Sequence, residues 1–139
     1  MAHRAIVSLG SNIEPRAERL ERALFALSRL PETRLAKASS VIETKPVGVP
    51  SEYERLLFLN QVAVFETGLS PREFSERMHA VEDAGGRVRT VRNGPRTIDL
   101  DLVDFDGIAL SEPGLTLPHP RAKDRDFVMK PLAELGILL

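Results

Sequence analysis

Residues 94–110 read GPRTIDLDLVDFDGIAL, and the alternation inside this stretch governs how the whole chain is read. Successive side chains on a β-strand point to opposite faces. Ile98, Leu100 and Leu102 therefore share one face, and Asp99 and Asp101 share the other with Val103 and Phe105. Asp106-Gly107 is a tight-turn pair leading to a short apolar run at Ile108 to Leu110, so antiparallel pairing is expected there. The remaining elements alternate too loosely for a doubly wound parallel sheet. The expectation is an α+β fold, an antiparallel sheet with helices on one side.

Upstream, Ala5 to Leu9 is strand-like and Gly10-Ser11-Asn12 reads as the turn that ends it. Pro15 suits a helix start, and Ala17, Leu20, Leu24 and Leu27 recur at spacings of three and four, one apolar stripe that stops at Pro31. Leu35 to Thr44 reads as a second strand, and Leu56 to Thr67 as a third with the polar Asn60 inside it. Ser70, Pro71 and Glu73 form a helix-start signature: an N-cap, a proline at the first helical position and a capping-box acid. Phe74, Met78 and Val81 mark that helix's buried side, and Gly85-Gly86 end it. A last helix is expected from about Phe127 to Leu135.

The chain has 139 residues, which suits a single domain over 1–139 with a real core. With 42% apolar and 28% charged residues it has a globular rather than disordered composition. Nineteen basic and 20 acidic residues leave a net charge of −1, so no global charge favours nucleic acid or an anionic membrane. Cysteine is absent, which removes disulfides, thiolate metal sites and thiol nucleophiles together. The N-terminal apolar run breaks at Gly10 without a cleavage pattern, and no run is long enough to span a bilayer. A cytoplasmic location is the expectation.

Local charge is another matter. Arg87, Arg89, Arg92 and Arg96 precede Asp99, Asp101, Asp104 and Asp106. On a strand, Asp99 and Asp101 stand about 6.6 to 6.8 Å apart, close enough for both carboxylates to lean onto the same ions. Hard oxygen donors without His or Cys alongside suit Mg²⁺, which binds one or two carboxylates plus substrate phosphates. The arginine loop offers forked donors that match phosphate oxygens. The competing reading is an edge strand guarded by charge, with the arginines as its surface partners. An EF-hand ending at Gly107 fails because Leu102 and Pro113 occupy ligand positions. A haloacid-dehalogenase-type phosphatase fits poorly, since that fold wants such an aspartate pair on its first strand.

RxxGPRTIDLDLV, together with SLGSN, ETKPVG, FLN and LTLPHPRAKDRDFV, resembles the 6-hydroxymethyl-7,8-dihydropterin pyrophosphokinase family in order from about Ser8 to Leu132. The resemblance implies a ferredoxin-like fold. It also implies a reaction that moves the terminal diphosphate of ATP onto the hydroxymethyl group of a dihydropterin, releasing AMP, in folate biosynthesis. Asp99 and Asp101 would then hold two Mg²⁺ ions, and Arg87, Arg92 and Arg96 would serve catalysis from the arginine loop. Glu82, Arg96, Thr116, His119 and Arg125 match ATP contacts. Phe58 and Phe127 match an aromatic pair around the pterin, Asn60 the residue that reads its edge, and Thr44 and Val47 the pocket wall. The expected partners are ATP and the pterin, with neither nucleic acid nor membrane, in a monomer or weak homodimer. A non-catalytic sensor on the same scaffold would have no use for the aspartate pair.

Overall fold

The computed structural model describes residues 2–46, 50–85 and 97–139. Its main sheet is built on β1 (His3–Ser11), flanked on one side by β4 (Phe58–Thr67) and on the other by β5 (Asp99–Phe105). Two short strands, β2 (Thr33–Ala38) and β3 (Ile42–Thr44), follow one another along the outer edge of β4. All these pairings are antiparallel. Helix α1 (Arg16–Ser28) links β1 to β2, and α2 (Pro71–Ala84) lies between β4 and β5 in sequence. Each β–α–β unit inserts a strand of the other, which is the ferredoxin-like arrangement. A hairpin of β6 (Leu110–Glu112) and β7 (Leu115–Leu117) precedes α3 (Asp126–Glu134).

Local chemistry accounts for the elements. Ser70 accepts from the Glu73 N–H and Glu73 reaches back to the Ser70 N–H, so the expected capping box starts α2. The α1 stripe is Leu20, Ala23 and Leu27, with the partly buried Leu24 packed against the same core, while Ala17 in the first turn is exposed. The strand expected over 35–44 is two strands, since Ser39 turns inward to hydrogen-bond across to Val62 and interrupts the ladder.

Three expectations need correction. Helices cover both faces of the sheet, not one. Ala5, Val7 and Leu9 pack with Leu20, Phe65, Phe74, Met78 and Leu100 beneath α1 and α2, while Ile6, Val62, Val64 and Val103 pack with Val128 and Leu132 of α3. The Asp106-Gly107 turn is present, with both residues at positive φ, but β6 pairs with β7 and not with β5. The antiparallel partner of β5 is β1. Finally, a bulge changes the parity of β5: Leu102 faces Val7 and Asp104 faces Ile6, which leaves Val103 as the extra residue. Phe105 therefore joins the α1/α2 core instead of the aspartate face, and Asp104 moves to the α3 side.

The helix-side core predicts a sharp contrast in stability. Phe74 is fully buried, whereas Phe25 is 66% exposed. Phe74→Ala should lower the unfolding free energy by about 3–5 kcal/mol in urea denaturation, and Phe25→Ala by no more than about 0.5 kcal/mol.

Candidate functional site

The β1–β5 register builds the site. Asp99 lies opposite Gly10 and Asp101 opposite Ser8, while Leu100 and Leu102 oppose Leu9 and Val7 on the helix-side face. The core therefore takes the leucines and holds both carboxylates out on the other face. Across β1, Gly10 also faces Asn60 of β4, and Asn60 faces Ile42 of β3. One row of the sheet thus runs Asp99, Gly10, Asn60, Ile42.

In the sequence Gly10 reads as the start of a turn. It lies within β1, and its missing side chain is structural: a Cβ there would stand 3.0 Å from Asn60 Oδ1 and 3.5 Å from a Phe58 ring carbon. An isolated glycine inside an apolar strand pattern was the available signal for such close approach. Asn60 is 4% exposed and its Nδ2 donates to the Thr44 hydroxyl, while Thr44 pairs with Phe58 across the ladder. Thr44, Phe58 and Asn60 therefore stand together at one end of β4.

A second group gathers around Asp101. The Arg125 guanidinium lies 3.8 Å from Asp101 Oδ2, and His119 Nε2 lies 3.9 Å from Oδ1. Arg125 also covers the Phe127 ring, its Cζ 5.4 Å from the centroid, a cation–π contact. His119 is fixed by its backbone N–H, which donates to the Val103 carbonyl at 2.8 Å, and its Nδ1 accepts from the Arg121 N–H at 3.2 Å. That acceptor role assigns the ring proton to Nε2 in the neutral imidazole, directed toward Asp101.

The other expected residues are placed as follows. Thr116 is exposed on β7, opposite Ser111 and three positions before His119. Glu82 is buried on α2, where its carboxylate accepts from the Leu100 N–H, so it meets β5 at the backbone instead of standing beside the two aspartates. Val47, Arg87, Arg92 and Arg96 lie outside the described residues. Asp104 and Asp106 have structural roles: Asp104 accepts from the Gly107 N–H, and Asp106 accepts from the Arg4 N–H and meets the His3 ring. The Arg4 N–H is the main reason the Asp106 carboxyl titrates below its ordinary range.

β5 is an edge strand among the described residues, as the charge-guard reading required, and Asp99 and Asp101 lie partly buried on the face opposite the α1/α2 core. Among the described residues no three His, Asp or Glu side chains converge to cage a metal by themselves. Two partly exposed carboxylates fit an ion that keeps most of its shell in water and phosphate oxygens, which is the habit of Mg²⁺. The adjacent His119 and Arg125 supply donors for an anion brought to the same place.

Burial pulls the His119 imidazole below its ordinary value of 6.5; Asp101 opposes this, and Arg125 and Arg121 reinforce it. The unfolded chain then binds the proton more readily than the folded one. His119's contribution to stability is present above 6.5 and is lost as pH falls from there toward the folded pKa. An NMR titration of the metal-free protein should give a His119 midpoint below 6.5, displaced further downward in Asp101→Asn; a midpoint above 6.5 would refute the burial argument.

Comparison with known proteins adds an independent finding. Residues 6–136 match the family model for 7,8-dihydro-6-hydroxymethylpterin-pyrophosphokinase. The chain is 42% identical to a Pseudomonas aeruginosa 2-amino-4-hydroxy-6-hydroxymethyldihydropteridine pyrophosphokinase, over 98% of this chain and 82% of the relative. It is 40% identical to the Bacillus subtilis protein of the same name, over 94% of this chain and 77% of the relative. Its fold is similar to the crystal structure of Plasmodium falciparum HPPK-DHPS with pteroate, with a TM-score of 0.66 at 15% identity. That superposition covers 96% of this chain but 39% of the larger protein.

Proposed function

This chain belongs to the 7,8-dihydro-6-hydroxymethylpterin-pyrophosphokinase family, and we propose that the face shared by Asp99, Asp101, Asn60 and Phe127 is where it transfers diphosphate from ATP to the pterin. The observation behind this assignment is the row Asp99, Gly10, Asn60, which sets a cation-binding group and an amide group on one face with only a glycine between them.

Phe58 and Phe127 flank the pterin ring. The Asn60 carboxamide reads the ring's edge, with Thr44 fixing which way that amide points, and the family resemblance adds Val47 to the pterin-binding residues. On the other side of Gly10, Asp99 and Asp101 would hold two Mg²⁺ ions, which would supply charge neutralisation for the triphosphate. Arg125 and the Nε2–H of His119 donate to phosphate oxygens, with Thr116 on the nucleotide side and Glu82 behind β5, accepting the Leu100 N–H. The family resemblance assigns Arg87, Arg92 and Arg96 to catalysis, as guanidinium charge for the reacting phosphates.

In the transfer, the pterin hydroxyl oxygen forms a bond to the β-phosphorus. The bond from that phosphorus to the oxygen bridging it to the α-phosphate breaks, and AMP leaves with that oxygen. The hydroxyl proton passes to solvent or to a carboxylate. Such reactions depend on positioning and charge stabilisation more than on a covalent nucleophile. The whole chain 1–139 acts as one catalytic domain of a folate-biosynthetic enzyme, cytoplasmic, as a monomer or weak homodimer. Among the described residues no helix is long and apolar enough to cross a membrane.

The decisive assay supplies ATP, Mg²⁺ and hydroxymethyldihydropterin and resolves the nucleotide products. AMP should appear only when the pterin is present, and Asp99→Ala or Asp101→Ala should lower kcat by at least about a hundredfold. ADP or free phosphate as the nucleotide-side product would overturn the assignment. Gly10→Ala, which pushes on the Asn60 amide, should weaken pterin binding by roughly tenfold in a fluorescence titration while leaving the thermal midpoint nearly unchanged.

A further inference from the structure

Glu82 is an improbable residue for the place it occupies. It lies in the last turn of α2, where the helix macrodipole is unfavourable to negative charge, and it is 1% exposed. A carboxylate taken out of water needs strong compensation. Among the described residues His79 and Leu100 contribute to it: Oε1 lies 2.7 Å from His79 Nδ1, and Oε2 accepts the Leu100 N–H at 2.8 Å. His79 is 46% exposed at its side chain, so the pair runs from solvent through the helix to the strand.

Leu100 is the residue between Asp99 and Asp101. Its side chain is buried in the helix-side core, and its partner on β1 is Leu9. Among the described residues no strand lies on the opposite side of β5 at this point. The regular ladder with β1 is also interrupted at Val103, only three residues on. Segment 99–101 thus needs an anchor on its outer edge if two flexible carboxylates are to converge. Ser11 secures the segment's start from the β1 side, its hydroxyl donating to the Thr97 carbonyl at 2.6 Å. Glu82 secures the outer side.

We propose that Glu82 is a positioning residue for the diphosphate transfer: by accepting the Leu100 N–H it fixes the backbone between Asp99 and Asp101, and so the separation and aim of the two carboxylates. This role replaces the direct ATP contact expected from the sequence, and it rests on the assignment of Asp99 and Asp101 given above. A negative charge is not its essential feature. What the strand needs is an oxygen acceptor at that point, so glutamine, which keeps one, serves in its place.

The test uses Glu82→Ala and Glu82→Gln in the full chain, read in two ways. Amide exchange at Leu100, followed by NMR without metal or nucleotide, should speed up by at least about tenfold in Glu82→Ala and stay near wild type in Glu82→Gln. In steady-state assays Glu82→Ala should lose about 10–100-fold in kcat or in apparent Mg²⁺·ATP affinity. Its pterin affinity should be unchanged, and Glu82→Gln should restore activity to within about threefold of wild type. Unaltered Leu100 exchange in Glu82→Ala would overturn the proposal. So would Glu82→Gln being as inactive as Glu82→Ala while its Leu100 amide stays protected, because that result assigns Glu82 a direct charge contact. If wild type makes no AMP from ATP and the pterin, the reading of the activity fails, and the exchange rate still decides whether the anchor exists.

Discussion

The pairing of β5 with β1 is the constraint on which the rest of the molecule depends. Because side chains alternate along a strand, the register Leu9–Leu100 and Val7–Leu102 leaves Asp99 and Asp101 no route into the helix-side core. A slip of one residue would bury two carboxylates beneath α1 and α2 and expose two leucines. The apolar clusters on the two faces of the sheet therefore do more than stabilise it. They fix which way the acidic face points, and the same ladder sets Gly10 between that face and the Asn60 amide.

Much of this was legible in the sequence, for identifiable reasons. The capping box at Ser70 is a local hydrogen-bonding pattern that needs no tertiary information, and it occurs as read. The shared face of Asp99 and Asp101 follows from strand parity alone. Parity fails two residues later, since the bulge at Val103 arises from how β5 meets Ile6 and Val7, nearly a hundred positions away. That one extra residue sends Phe105 into the helix-side core and brings Asp104 to the α3 side. The second covered face was also readable: Ala5–Val7 and Val62–Phe65 are continuous apolar runs, the pattern of strands buried on both sides. Gly10 was missed because a glycine followed by Ser and Asn has the composition of a turn, and only the partner strands reveal the close approach to Asn60 and Phe58.

The electrostatics of the site follow from what surrounds Asp101. Arg125 and His119 stand just beyond hydrogen-bond distance of its two oxygens, near enough to balance its charge and far enough to turn to another anion. Desolvation keeps His119 neutral at neutral pH, so it offers a single directed donor while Arg125 supplies the fixed charge. Arg125 also lies against the Phe127 ring, which ties the proposed nucleotide side to the proposed pterin side through one guanidinium. The acidic strand and its cationic neighbours are in this sense one device, with each sign of charge made tolerable by the other.

A crystal structure with Mg²⁺, a non-cleavable ATP analogue and the pterin would show which face of the sheet holds the reactants. Cation density should be bound by both Asp99 and Asp101, with the triphosphate against Arg125 and His119 and the pterin ring between Phe58 and Phe127, its edge on Asn60. Nucleotide seated on the α1/α2 face, or a cation bound away from Asp99 and Asp101, would contradict this arrangement.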